Sequence, residues 1–356
     1  MRPVDPPIES VAALAQRLAV LLAAGVAPHT AWTYLDEAGA DAAGANGADT
    51  AGTAAARGRW HPRRLPLWNG RDDPARVAEL NALALRAASR AAARGGNIAE
   101  ALRDAVTGEA SHAAPVTPSG RRAAAAWLAL AAAWAVAGEA GAPLAATLRG
   151  LAATFRDQAR LERDLAAALA GPRATARLVG AMPVIGVLFG ALLGFDTVGT
   201  LFGTVPGLIC LALGGALTLA GAGWSRALVR RAAGAHDDGL MLELTSIAMS
   251  GGMSTERARA LAEGAARRFM IQNAAGTRAI DGVLALSRRA GVPAVELLRS
   301  EATQARLRSR SAGEQRAAGL AVTLMIPLGL CVLPAFMLVG VLPLLIAVLS
   351  STLGTF

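Results

Sequence analysis

Three long stretches of this chain carry no charged side chain, and the segments between them are Ala-rich and crowded with arginine. The uncharged runs are 178–195 (LVGAMPVIGVLFGALLGF), 205–223 (VPGLICLALGGALTLAGAG) and 317–356. A bilayer core is crossed by a helix of ~20 apolar residues, with a range of ~17–25. The first two runs therefore have the length of one span each. Only 196–204 (DTVGTLFGT) separates them, which predicts a tight helical hairpin. The third is longer: 317–349 would extend about 50 Å as one helix, against a core of ~30 Å. Pro327, Pro334 and Pro343 interrupt it. One kinked span with an apolar tail, or a span plus a re-entrant piece, fits that length; two full spans do not.

The arginines orient these runs. Arg160, Arg163, Arg173 and Arg177 precede the first, Arg226, Arg230 and Arg231 follow the second, and Arg306, Arg308, Arg310 and Arg316 precede the third. The 196–204 loop and the tail after Ser350 have none. The bias of basic residues toward the cytoplasmic side then puts 1–177 and 225–316 inside, with the hairpin loop and the C-terminus outside. An odd number of spans follows, and three is the number expected. At 18–27 (LAVLLAAGVA) the chain resembles the apolar core of a signal peptide. However, Asp5 and Glu9 stand where such a leader is basic, and Ile8, Val11, Leu14, Leu18 and Leu21 recur at helical spacing. That pattern predicts an amphipathic helix on the cytoplasmic side.

The expected class is all-α, an integral membrane protein with two cytoplasmic helical-bundle regions and about three transmembrane helices. Hydrophobic residues are 54% of the chain but aromatics only 4%, so small residues supply the apolar surface, and these suit close helix packing in lipid. The expected order is N-terminal helices of a first bundle at 1–37, a flexible insertion at 38–73 rich in Ala, Gly, Asp, Arg and Pro, and the rest of that bundle at 74–177. The hairpin at 178–223, a second bundle at 224–316 and the terminal segment at 317–356 follow. Residues 107–120 read as a further linker.

A turn signature recurs as AAGVAP (23–28), EAGAP (139–143) and RAGVP (289–293), with glycine pairs in RGGNI (94–98) and SGGMS (250–254). Glycine takes the left-handed position that ends one helix, and proline pre-sets φ for the next. Gly25 and Pro28, Gly141 and Pro143, Gly251 and Gly252, and Gly291 and Pro293 are thus expected at helix corners. After Pro143 and after Pro293 comes a charged helix, an Arg-bearing junction and an apolar run with an early proline, Pro183 or Pro327. The chain reads as a duplicated unit. Trp127 and Trp134, seven apart, share a helical face.

Reactive chemistry is sparse. No lysine occurs among the 35 basic residues, which rules out a P-loop and a Schiff-base enzyme. Cys210 and Cys331 lie in apolar runs and read as small hydrophobes. His29, His61, His112 and His236 are scattered, without metal-ligand spacing. His236-Asp237-Asp238 reads as a polar helix start, and Asp196 as a span edge. No catalytic, cofactor or metal residue is expected, and the arginines are not interleaved with base-stacking aromatics, so nucleic acid is not an expected partner.

The stretch GEAGAPLAATLRGLAATFRDQARLERDLAAALAGPRATARLVGAMPVIGVLFGALLGFD (138–196) resembles TadB-like platform proteins of tight-adherence (Flp) pilus systems. VLALSRRAGVPAVELLRSEATQARLRSR (283–310), followed by LMIPLGLCVLPAFMLVGVLP (324–343), resembles their TadC-like partner; both belong to the type II secretion system F-type platform family. The resemblance implies a multi-pass protein of the bacterial cytoplasmic membrane that contacts a secretion ATPase and helps move pilin subunits into a filament. It also implies a homo-oligomer, or a complex with a second platform subunit. On that reading Arg226, Arg230, Arg231, Arg306, Arg308 and Arg310 are candidate contacts for the ATPase or for membrane lipid. A small-solute channel or transporter is the competing reading, and would need ionisable groups facing a pore. A structural membrane scaffold is a third.

Overall fold

The computed structural model describes residues 6–39, 41, 74–108, 117–168, 170, 185, 188, 192, 199, 202–233, 239–271, 274–323, 325–343 and 345–346. Every regular element among them is helical, and no strand occurs among the described residues. The expected insertion at 38–73, apart from residues 38, 39 and 41, lies outside the described residues. So does most of the first uncharged run, in which Ile185, Leu188 and Leu192 are helical and exposed.

The chain divides into two compact units. The first comprises Met1–Arg163 and His236–Ser309. Its helices are α1 (Pro7–Ala23), α2 (28–39), α3 (Pro74–Ala93), α4 (Ile98–Thr107), α5 (Pro118–Ala140) and the start of α6 (Leu144–Ala168). From the later segment come α8 (Gly239–Ser250), α9 (Thr255–Arg268), α10 (Ala274–Ala290) and the start of α11 (Ala294–Thr323). The two regions that the sequence separates into successive bundles share one hydrophobic core in this unit.

That core is organised on α5. Thr117 caps it by accepting from the Gly120 amide, Pro118 opens it, and Gly141 closes it with φ of 68°. Its run of alanines keeps the helix thin, so α1, α3, α4, α8 and α9 all pack against it. A helix apolar on every side must be buried in protein or in lipid. At 23 residues α5 is long enough for either, and 72% of its apolar window is buried inside the unit. Trp127 is fully buried and donates Nε1–H to Asn81 Oδ1 at 2.8 Å, and Asn81 donates onward to Ser10 Oγ at 2.8 Å. Helices α5, α3 and α1 are thereby tied by a polar chain that leaves the indole satisfied. Trp134 meets Trp32 edge to face, with ring centroids 5.5 Å apart. On α1, Ile8, Val11 and Leu18 are buried while Leu14 and Leu21 are partly so, which is the amphipathic face read from the sequence.

Five corners share one geometry. Gly25, Gly95, Gly141, Gly252 and Gly291 all have positive φ, a region that costs a Cβ-bearing residue about 1–2 kcal/mol. In each, the next helix begins three residues after that glycine, at 28, 98, 144, 255 and 294. The Val26, Gly96 and Ala142 amides reach back five residues, to the Leu21, Ala91 and Ala137 carbonyls, and satisfy helix ends. Pro28 starts α2, whereas Pro143 and Pro293 stand one residue before α6 and α11. In the glycine pairs the left-handed member differs: it is the first in Gly95-Gly96 and the second in Gly251-Gly252. Asn97 and Ser254, two residues beyond it, then cap α4 and α9. Gly251 serves another purpose, since a Cβ there would overlap the Ala140 carbonyl at the end of α5. A sixth corner uses Met270 at φ 56°, with the Ile271 amide donating to Ala266 at 2.7 Å.

The second unit comprises Asp164–Ala235 and Arg310–Phe356. Helix α7 (Val205–Ala233) packs along the terminal segment, which continues as short α-helical pieces alternating with π-helical turns at Leu328–Val332 and Met337–Val341. Proline lacks an N–H and its ring crowds the carbonyl four residues back. Pro334 follows the first π turn, and such widened turns absorb the mismatch without ending the helix. The prolines expected to kink the span are thus carried within a continuing helical run.

Packing in this unit is inverted. The buried stripe of α7 is Gly207, Cys210, Gly214 and Gly221, and it faces Pro327, Cys331, Ala335 and Gly340. A Cβ on Gly214 would overlap the Val339 side chain, and one on Gly221 would stand 2.9 Å from Cys331 Cβ. The large side chains point away: Leu192 is 77% exposed, Val205 72% and Leu330 64%. Small residues between helices with leucines outside is the packing of helices solvated by hydrocarbon.

Candidate functional site

Among the described residues no three His, Cys, Asp or Glu side chains gather in a way that could hold a metal ion. The features capable of acting on other molecules are charged faces, an open groove and apolar helices.

Helix α11 carries the densest basic run. Arg308 pairs with Glu301 at 2.8 Å and with Gln304 at 3.0 Å, and Arg310 with Glu314 at 2.9 Å. Their side chains are 66% and 45% exposed. Exposed pairs of this kind are worth about 0–1 kcal/mol, so a partner's carboxylates can replace them at small cost. Arg306 differs. Its side chain is 25% exposed, and its guanidinium donates Nε–H to the Ala302 carbonyl and lies 3.6 Å from Glu243 Oε2. Arg226, Arg230 and Arg231 stand on the last turns of α7; their side chains lie outside the described residues. The sequence groups six arginines as equivalent contacts, and the structure sets Arg306 apart as half-buried and internally engaged.

Glu243 itself went unread in the sequence. It is the one acid in the apolar run 240–249 (LMLELTSIAM), and α8 buries it to 7% exposure. The Thr154 hydroxyl is shared between the Gly150 carbonyl at 3.1 Å and Glu243 Oε2 at 3.3 Å, and a Cβ on Gly150 would meet Oε1 at 3.2 Å. A lone acid within a charge-free helix is the signal that could have found it.

Elsewhere in the first unit ion pairs link neighbouring helices, and one of them, Arg268 with Glu100, joins its two chain segments. Arg268 of α9 pairs with Glu100 of α4, Arg163 of α6 with Glu9 of α1 at 2.8 Å, and Arg122 of α5 with Glu162 of α6 at 3.0 Å. Arg259 lies between Glu263 and Asp281, and chiefly the hydrogen bond that its Nε–H donates to the Glu263 carboxylate raises its pKa above the usual arginine value. Asp104 does the same for Arg103. An open groove of about 520 Å³ runs between α5 and α9, floored by Val136, Ala260, Leu261 and Phe269 and rimmed by Glu139 and Arg257.

The expected corner residues lie apart from the charged face of α11. Gly25, Gly141, Gly251, Gly252 and Gly291, with Pro28, Pro143 and Pro293, join helices and line no common site. His236-Asp237-Asp238 lies outside the described residues, and α8 begins at Gly239.

Three described helices are long and apolar enough to cross a membrane: Pro118–Ala140, Val205–Ser225 and Ala294–Val341. The second contains the expected span at 205–223, and the third overlaps the expected terminal segment from 317 to 341. The first was not expected, and its residues are mostly enclosed by the first unit. Residues 82–191, from within α3 past the end of α6, match the family described as type II secretion system (T2SS), protein F. No curated protein matches the chain. The match supports the F-type family of type II secretion systems for this stretch, and with the apolar helices it supports an inner-membrane protein.

Proposed function

We propose that the chain is an inner-membrane platform protein of a type II secretion or tight-adherence pilus machine. It couples a cytoplasmic secretion ATPase to extraction of pilin subunits and their assembly into a filament. The match to protein F over residues 82–191 carries this reading. The inverted packing of α7 against the terminal segment supports it, because large apolar side chains turned outward are stable only against lipid or other apolar helices.

On this reading both parts of the first unit are cytoplasmic and the C-terminus is extracytoplasmic, as the arginine distribution implies. The TadB-like and TadC-like characters of the two parts belong to one chain, acting as a homo-oligomer or beside a second platform subunit. No step needs a catalytic residue here. The ATPase supplies energy, and the chain conveys movement from its cytoplasmic helices to those in the bilayer.

Arg308 and Arg310, exposed and weakly paired, are the contacts to test on α11. Replacing both with glutamine while leaving Arg306 intact should abolish co-purification of the ATPase and leave membrane insertion unchanged. ATPase binding retained by the doubly substituted protein would contradict the assignment of these contacts.

A further inference from the structure

We infer that Glu243 is a positioning residue, a clasp that fixes the register of α6 against α11. The chain passes between its two units at 163/164, 235/236 and 309/310. Helices α6 (Leu144–Ala168) and α11 (Ala294–Thr323) carry it through the first and last of these as unbroken helix. Both lead toward uncharged runs. Glu243 touches both: its Oε2 is 3.3 Å from Thr154 Oγ1 of α6, whose hydroxyl is shared with the Gly150 carbonyl at 3.1 Å, and 3.6 Å from Arg306 Nη2 of α11, while its Oε1 rests over Gly150.

An ion pair here is a poor way to stabilise a fold. Glu243 projects from a helix whose residues 241–248 are all buried, so the carboxylate loses most of its hydration. Replacing such a pair by apolar side chains of similar volume is often neutral or stabilising, whereas removing one partner is strongly destabilising. What a buried pair supplies that methionine cannot is direction. An apolar contact tolerates a helix sliding or rotating by a fraction of a turn, but a carboxylate shared between a hydroxyl and a guanidinium does not. Register specification is the best-attested role of such groups. Gly150 fits this account, since a larger side chain there would push against the carboxylate. The clasp depends on the platform reading only for its purpose, which is to make two connecting helices move together.

The test uses the full chain in detergent, without ATPase, so its outcome is independent of the platform reading. With Cys210 and Cys331 replaced by alanine, spin labels are placed at Arg149→Cys on α6 and Thr303→Cys on α11, both exposed positions. The unsubstituted clasp should give one narrow distance distribution. Glu243→Met with Arg306→Met should retain or raise the melting temperature yet lose that single narrow distribution. Glu243→Gln, which keeps the shape and a partner for Thr154 but not the charge, should also broaden it and serves if the double variant does not fold. A distribution as narrow as the parent's in either folded variant would overturn the inference and leave Glu243 as a packing residue.

Discussion

The two units of this chain solve the same packing problem in opposite senses. In the first, Trp127, Leu130, Leu148 and Leu242 are inside and the arginines cover the outside. In the second, glycine, alanine and cysteine are inside, and leucine, valine and methionine cover the outside. In the first unit, burial of apolar surface from water drives association, at about 25 cal/mol per Å². Lipid removes that drive between helices, and close backbone approach takes its place. The comparison shows why hydrophobicity alone ranks α5 and α7 together although they lie in such different surroundings. What differs is the neighbour each helix is shaped to meet.

Substitutions in the two units should differ accordingly. The largest effect is expected at Trp127→Ala, which empties a fully buried site and orphans Asn81. It should cost about 3–5 kcal/mol, read as loss of the helical transition on thermal unfolding by circular dichroism. The paired substitution Leu130→Ala and Leu213→Ala isolates the solvent. Leu130 is fully buried and should cost about 2–5 kcal/mol, while Leu213, 52% exposed, should cost within about 0.5 kcal/mol in the same detergent. Equal losses at both would refute the inverted packing.

Small residues should follow the opposite rule. Gly214→Leu must displace Val339 and should cost about 1–3 kcal/mol, seen as increased reactivity of Cys331 toward a membrane-permeant maleimide. Gly251→Ala in the first unit drives a Cβ into backbone at Ala140 and should lose a similar amount by thermal unfolding. The smallest change has the opposite sign. Met270→Gly relieves a left-handed backbone at an exposed residue and should gain up to about 1 kcal/mol, as a small rise in melting temperature.

How much of this was legible in the sequence follows from the kind of signal each feature leaves. The face of α1 is local and periodic, so its buried positions can be read directly. The corners are local too, yet the glycine pairs do not say which member is left-handed. Gly95 and Gly252 differ in that respect because the capping residue, Asn97 or Ser254, fixes the count from the other side. The central place of α5 left no such mark: a helix apolar all round has no face to report, and its many contacts join residues distant in sequence. Glu243 shows part of the same limit: a single acid in an apolar run marks the position, but its partners Thr154 and Arg306 lie far away in sequence. The prolines at 334 and 343 announced an interruption, and the π-helical turns that precede each of them depend on neighbouring helix packing.

Photo-cross-linking in cells, from one exposed position in each unit, separates a cytoplasmic first unit from a lipid-facing second one. A cross-linker at Leu307, 61% exposed on α11, should capture a secretion ATPase. One at Leu213 on α7 should capture lipid or a pilin subunit and no ATPase. An ATPase captured from neither position, or from Leu213 in place of Leu307, would contradict the account.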